Sequence, residues 1–253
     1  MYIREFEKFI DAWQVQLSSL ESDFKEMAFE RLYSGYSLCS NEDVLSWYKE
    51  NVKACTMSYS IIPLTECVGW ALDQSTGSIK HQSGEFFVVN GIRVMNSSDR
   101  EVIGGWDQPI LTQVGYDGGI LGLIRKRING VPHYLVEAKS EPGNPNIVQI
   151  STSIQATYSN IKQAHGGSKT PFSELFLQPE ANGARVVFER WMSEDGGRLL
   201  NKRNKSMIIE CANFDDSNLN SRYLWMTMHQ LVYFVREHDA IVSPHIRGIL
   251  SAV

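Results

Sequence analysis

The run Lys139-Ser140-Glu141-Pro142-Gly143-Asn144 sets an ammonium and a carboxylate two residues apart, just ahead of a Pro-Gly turn. A strand that ends in such a turn can project both groups towards one ligand, as a base or acid and its charged companion. The competing reading is a solvated lysine and a glutamate that merely caps the turn. Glu141 is the first candidate for proton transfer, with Lys139 beside it. His81, in His81-Gln82-Ser83-Gly84, is the second, because an imidazole titrates near neutral pH. A histidine before a strand is more often a hydrogen-bonded structural residue. Glu194, in Ser193-Glu194-Asp195-Gly196-Gly197, is an alternative acid.

Around these stand groups suited to holding a polar ligand. Gln108, Gln155 and Asn160 carry neutral amides that can donate to a carbonyl oxygen or bind hydroxyls, though each alone can equally be structural. Trp106 can stack on a ring or sit in a core, and its type does not choose between them. Arg198, Lys202 and Arg203 follow a glycine turn, an arrangement that suits a diphosphate cradle as well as a solvated basic turn. His165-Gly166-Gly167 suits a closing loop or an ordinary one. His229, His238 and His245 have no second kind of metal ligand near them in sequence, so no metal site is expected there.

The elements that must position these groups are legible in outline. Ile3, Phe6, Ile10, Trp13 and Leu17 recur at helical spacing, and Ser40-Asn41-Glu42-Asp43 reads as a capping box opening a helix that ends near Lys53. From Glu85 onward short β-branched and aromatic runs predict strands. These include Ile120–Ile124, Val186–Phe188 and Met207–Ile209, with Asn129-Gly130 as a hairpin turn before Tyr134-Leu135-Val136. Tyr223–Val235 reads as a helix, and Ser243-Pro244 as an N-cap followed by proline at the first helical position. The expected organisation is a helical arm over 1–58 and an α+β body over 59–253 in one folding unit, with no internal repeat.

Bulk properties narrow the function. With a formal net charge of −5 over 253 residues, a general nucleic-acid binder is disfavoured, although local positive charge can still hold a small anion. The four cysteines, Cys39, Cys55, Cys67 and Cys211, have neither zinc spacing nor a disulfide framework and read as reduced thiols. The first residues lack a basic patch followed by an apolar run, and no later apolar stretch reaches spanning length. A cytoplasmic protein without membrane partners is expected.

Taken in order, Gly69-Trp70, His81–Phe87, Trp106-Asp107-Gln108-Pro109 and Lys139–Asn144 resemble the nucleotide-diphospho-hexose 2,3-dehydratases. The resemblance continues through Gln149, Ser151, Gln155-Ala156-Thr157, Ser159-Asn160, Ser193-Glu194, Gly197-Arg198, Lys202-Arg203-Asn204, Trp225, Arg247 and Leu250. It implies a mixed β-sheet with flanking helices similar to that of Nudix hydrolases. The metal-binding helix of true Nudix hydrolases has no counterpart in this sequence. It also implies a dTDP-4-keto-6-deoxyhexose substrate, loss of water across C2 and C3, and no organic cofactor. Trp106, Gln108, Gln155, Ser159, Asn160, Arg198, Lys202 and Arg203 would then bind substrate, and Glu141, Lys139, His81 or Glu194 would move protons. Familiar members carry two copies in one chain, so a single copy is expected to pair as a homodimer. The chain departs from the family pattern at Ser151-Thr152-Ser153, where a proline is usual in the middle, and at Asp195, where glutamine is usual. A non-catalytic nucleotide-sugar binding protein and a related epimerase or dehydratase are the rival readings.

Overall fold

The structure is a computed structural model and describes residues 1–95, 103–113, 118–157, 161 and 169–253. Three helices lead the chain: α1 (Tyr2–Ala12), α2 (Ser22–Glu30) and α3 (Asn41–Ala54). The aromatic stripe of α1 meets α2, with Tyr2 and Phe6 ring centroids 5.2 and 5.5 Å from Phe29. The capping box expected at Ser40 is present, with the Asp43 amide donating to the Ser40 hydroxyl at 3.1 Å and the Ser40 amide donating to the Asp43 carboxylate at 2.9 Å. Helix α3 buries Val44 and Tyr48, and the Tyr48 hydroxyl donates to the carbonyl of Val148.

Two sheets follow. A four-stranded antiparallel sheet takes β1 (Trp70–Leu72), β2 (Ile79–His81), β3 (Val88–Val94) and β4 (Trp106–Thr112) in chain order. The larger sheet holds β5 (Ile120–Ile128), β6 (Val131–Ser140), β7 (Val148–Thr152), β8 (Ile154–Ala156), β9 (Arg185–Ser193), β10 (Arg203–Glu210) and β11 (Tyr223–Met226). Its order is β11-β6-β5-β10-β9, with β7 on β6 and β8 on β5, and the β5–β10 pair is parallel. Short helices α4 (Ser173–Leu177), α5 (Met228–Glu237) and α6 (Pro244–Ala252) complete the fold. The α+β class expected from the sequence is therefore what the structure has.

The centre of the large sheet explains where the site forms. Asn129 and Gly130, with φ of 52° and 79°, make the turn between β5 and β6. The two strands stay paired only as far as Ile124 and Leu135, after which they diverge and β7–β8 fills the gap. At the fork the Ser153 hydroxyl accepts from the Ile124 amide at 2.8 Å and donates to the Leu135 carbonyl at 2.5 Å. One side chain thus replaces a rung of the ladder in a fully buried place. Ser153→Ala is expected to cost about 1–3 kcal/mol, because both backbone groups lose a partner away from water; urea denaturation of the two proteins checks this.

Strand β6 reads as a near-continuous buried run, as a strand covered on both faces should. Tyr134, Val136 and Ala138 join a core with Val44, Ile150, Phe234 and Ile249, under α3, α5 and α6. Leu135 joins Ile124, Phe176 and Trp225 on the other face. One expectation needs correction: Tyr223–Met226 is not the start of a helix but the edge strand β11, paired with Tyr134–Glu137. The helix begins only after Thr227, which forms a capping box with Gln230. An apolar run of that length fits either element, and the cap decides where one gives way to the other. Among the described residues no helix is long and apolar enough to cross a membrane.

Candidate active site

Beyond the fork, β6 carries Glu137 and Lys139 at alternate positions, so strand geometry turns both to one side, and Glu141 follows one residue past the strand's end. The following turn is tied down by Asn144, whose side-chain amide donates to the carbonyls of Lys139 and Ile147. The Glu141 amide donates to the Ile147 carbonyl at 2.8 Å. The Glu141 carboxylate is in turn oriented by Gln155 of β8, whose Nε2 donates to Oε1 at 2.8 Å, and Ser151 of β7 donates to the Gln155 Oε1 at 3.3 Å. Sequence positions 141, 151 and 155 therefore meet because β7–β8 is wedged between β5 and β6.

Glu137 is buried beside this group. Burial pushes its carboxyl up, while Lys139 at 3.8 Å and Arg222 at 3.3 Å pull it back and the Glu141 charge adds to the rise. Glu194, one residue past β9, receives a hydrogen bond from the Asn204 side-chain amide, and the Gly119 amide donates to the Asn204 Oδ1 at 2.9 Å. A side chain at Gly119 would put its Cβ 2.4 Å from the Ala156 carbonyl oxygen, so glycine is needed for that close approach.

The two halves meet at α6. The Ser243 amide donates to Ile150 at 2.9 Å and Gln149 donates to the Ala240 carbonyl at 2.9 Å, which clamps the start of α6 on β7. At Gly248 an added Cβ would lie 3.9 Å from the Met192 side chain, which sets the same helix against β9. His245, in the first turn, is half-buried between them. Burial lowers its pKa; Glu194 and Glu141 raise it and Lys139 lowers it further. Carboxylates from β9 and from the β6 turn thus bear on one imidazole.

Next to Glu194 opens a hollow of about 480 Å³ bordered also by Ser193, Lys202 and Arg203, and Lys202 and Arg203 border a second cavity of about 170 Å³ with Gln113 and Gly118. Lys202 is buried, and its ammonium donates to the Gln113 side-chain oxygen. Burial disfavours its charged form, an effect that Glu194 partly offsets.

A model of the NDP-hexose 2,3-dehydratases matches residues 41–253. The chain belongs to the NDP-hexose 2,3-dehydratase family. Its relatives include proteins named dTDP-4-dehydro-6-deoxy-alpha-D-glucopyranose 2,3-dehydratase from Amycolatopsis orientalis and Saccharopolyspora spinosa. The first is 35% identical over 84% of this chain and 44% of its own length; the second is 34% identical over 82% and 41%. The chain therefore spans less than half the length of these relatives. Solved structures with some likeness are an Ap4A hydrolase of C. elegans, 13% identical with a TM-score of 0.33 over 54% of this chain and 96% of that one, and the Nudix hydrolase RenU of M. Smegmatis, 14% identical with a TM-score of 0.34 over 64% and 92%. Scores this low have no bearing on the site.

Within this dehydratase-family chain, the sequence candidates divide. Glu141 and Gln155 are hydrogen-bonded, Lys139 lies 3.8 Å from Glu137 two residues before Glu141, and Lys202 and Arg203 share a wall with Glu194. Arg198 borders a separate cleft with Gln108 and Pro109. Gln108 accepts from the Trp106 indole at 2.7 Å and donates to the Gly197 carbonyl at 3.0 Å, which docks the small sheet on the turn after β9. His81 pairs with Ser83 at 2.8 Å and packs against Phe86 and Trp70, so its contacts lie on β1 and the connection between β2 and β3. Ser159, Asn160 and the His165-Gly166-Gly167 loop lie outside the described residues. Two residues escaped sequence reasoning. Glu137 was signalled by the alternation Glu137-x-Lys139-x-Glu141, but His245 had no local signal.

Proposed function

We propose that the chain carries the active site of a dTDP-4-keto-6-deoxyhexose 2,3-dehydratase. The observation that carries this reading is the Glu141 carboxylate, fixed on its turn by Gln155 at 2.8 Å, in a chain of this family whose Glu194 borders a hollow walled by a buried lysine. In the family whose pattern the chain follows, the C4 ketone acidifies the C3 hydrogen. Glu141, oriented by Gln155, takes that proton and leaves an enolate. As the ketone re-forms, a double bond develops between C2 and C3 and the C2 hydroxyl departs with a proton as water. Lys139 and Glu194 are the groups beside it that supply that proton. The resulting enol rearranges to a 3,4-diketo-2,6-dideoxy sugar, and the electron count closes without a redox cofactor.

Lys202 and Arg203 take the diphosphate, Arg198 lies towards the small sheet at the nucleotide end, and thymine is the base by analogy with the named relatives. A buried ammonium whose own partner is a neutral amide gains more from an arriving phosphate than a solvated one would. Lys202→Met is therefore expected to weaken dTDP binding by about tenfold or more while leaving the melting temperature equal or higher, read by calorimetric titration and thermal denaturation. Residues 1–58 act as a buttressing arm for the body over 59–253, the working form is a symmetric pair of such units, and its compartment is the cytoplasm.

The test is incubation with dTDP-4-keto-6-deoxyglucose in deuterated buffer, followed by NMR and mass spectrometry. Loss of one water with deuterium entering the sugar supports the reading. Tight binding with unchanged sugar supports a binding protein instead, and inversion without water loss an epimerase.

A further inference from the structure

The groups assigned so far withdraw and return protons, but none holds the charge that appears on the sugar when the C3 proton leaves. An enolate oxygen exposed to bulk water would leave most of the barrier in place, so donors fixed in advance are required. The start of α6 has the properties of such a donor set. Ser243 is its N-cap residue, yet its hydroxyl makes no capping bond. It is only 3% exposed, and its Oγ has no hydrogen-bond partner among the described residues. A buried hydroxyl without a partner costs free energy in the empty protein and points to a ligand that supplies one. Two residues on stands His245, and the first amides of a helix have no acceptor within it.

Resting on the dehydratase reading, we infer that the first turn of α6 is the oxyanion-holding part of the site: the Ser243 hydroxyl and the neutral imidazole of His245 donate to the C4 oxygen as it becomes an enolate. The C3–H bond breaks, its electron pair forms C3=C4 and the charge passes to that oxygen. When the ketone re-forms, the pair moves to C2=C3 and expels the hydroxyl.

Three features favour this arrangement. Helix α6 is bonded to β7 at Ser243 and lies near Met192 of β9 at Gly248, so the fold sets the position of the turn. Ser243 is bonded to Ile150, the neighbour in β7 of Ser151, which donates to Gln155, which in turn holds Glu141, so the proposed donor and the base are set on adjoining backbone, and the charges of Glu194, Glu141 and Lys139 act on His245. Burial keeps the imidazole below its ordinary pKa despite the two carboxylates, and the positive end of the helix acts in the same direction. At pH 7 it is then a neutral N–H donor, which stabilises an enolate without protonating it outright.

The test uses Ser243→Ala, Ser243→Thr and His245→Ala in the full chain, with dTDP titration counting folded sites. Ser243→Ala and His245→Ala are each expected to lower kcat by about 10²-fold with KM nearly unchanged, and Ser243→Thr to retain most activity. Deuterium exchange at C3 of the unreacted substrate and deuterium entry at C2 of the product should both fall in step with water loss. In labelled wild-type protein, nitrogen NMR should find the His245 imidazole neutral at pH 7. The inference is overturned if the alanine variants turn over within twofold of wild type, if they raise KM with kcat intact, or if the imidazole is cationic at pH 7. A wild-type protein that neither exchanges deuterium nor loses water sinks the dehydratase reading and this inference together; active wild type with unaltered variants sinks the inference alone.

Discussion

Replacing Glu141 by glutamine is expected to lower dehydration of dTDP-4-keto-6-deoxyglucose by about 10³-fold or more, while dTDP binds as before. Loss of a positioned proton-transfer group, the role proposed for Glu141, commonly costs about 10²–10⁴-fold. The substitution is nearly isosteric. The new amide can turn its oxygen towards Gln155 Nε2 and keep the 2.8 Å hydrogen bond that now orients the carboxylate. The Asn144 bonds that fix the turn involve backbone carbonyls and are untouched. Stability should therefore change by no more than about 1 kcal/mol. Following the sugar in deuterated buffer separates the roles. A variant that neither exchanges deuterium nor loses water lacks its C3 base. One that still exchanges but keeps its water lacks the acid for C2, which would reassign Glu141 from base to acid. Unchanged turnover would remove Glu141 from the chemistry.

The part of this site that can be read from the sequence is the part held by local rules. The Lys139–Asn144 turn announces itself through proline, glycine and asparagine, and the carboxylate it presents is the one the fold orients. The Asn129-Gly130 hairpin and the Ser40 cap are equally local and appear where expected. The rest depends on pairings across the chain. Gln155 reaches Glu141 only because β5 and β6 diverge and β7–β8 is inserted between them, with Ser153 bridging the fork. Nothing in a glutamine's neighbours states that.

The same reason hides how other candidates are held. Trp106 donates to Gln108, and Gln108 donates to the Gly197 carbonyl, a bond between the small sheet and the turn after β9 that no local pattern announces. Lys202 has the sequence surroundings of a solvated basic turn and is buried instead, since Phe87 and Gln113 of the small sheet close over it. His245 enters the site only through the clamp between the segment ahead of α6 and β7, a contact between residues almost a hundred positions apart.

Arg125→Ala should cost about 3–5 kcal/mol, which in a domain of this size is enough to unfold much of the protein at 37 °C. Arg125 is 1% exposed and lies 2.6 Å from both Glu26 and Glu30 of α2 and 3.0 Å from Glu210 of β10. It is also in register with Tyr134 of β6 on one side and Glu210 on the other, and the Tyr134 hydroxyl donates to Glu30 at 2.7 Å. The guanidinium thus joins the helical arm to three strands, one of which leads directly into Glu141. Without it, Glu30 remains buried with its compensating charge gone, and burial already holds its carboxyl above its ordinary pKa. A carboxyl raised in the folded state weakens folding at high pH and ceases to do so once pH falls below its unfolded value. The variant should therefore regain more stability than the wild type as pH is lowered from 7 towards 5, because in the wild type Arg125 offsets part of the effect of burial on Glu30 and the arginines hold Glu26 low. Adding Glu30→Gln to the alanine variant should recover part of the loss at pH 7 and flatten that pH dependence, measured by denaturant titration across the range. If the single variant instead melts alike at both pH values, the cost lies in lost packing around the guanidinium and not in stranded charge.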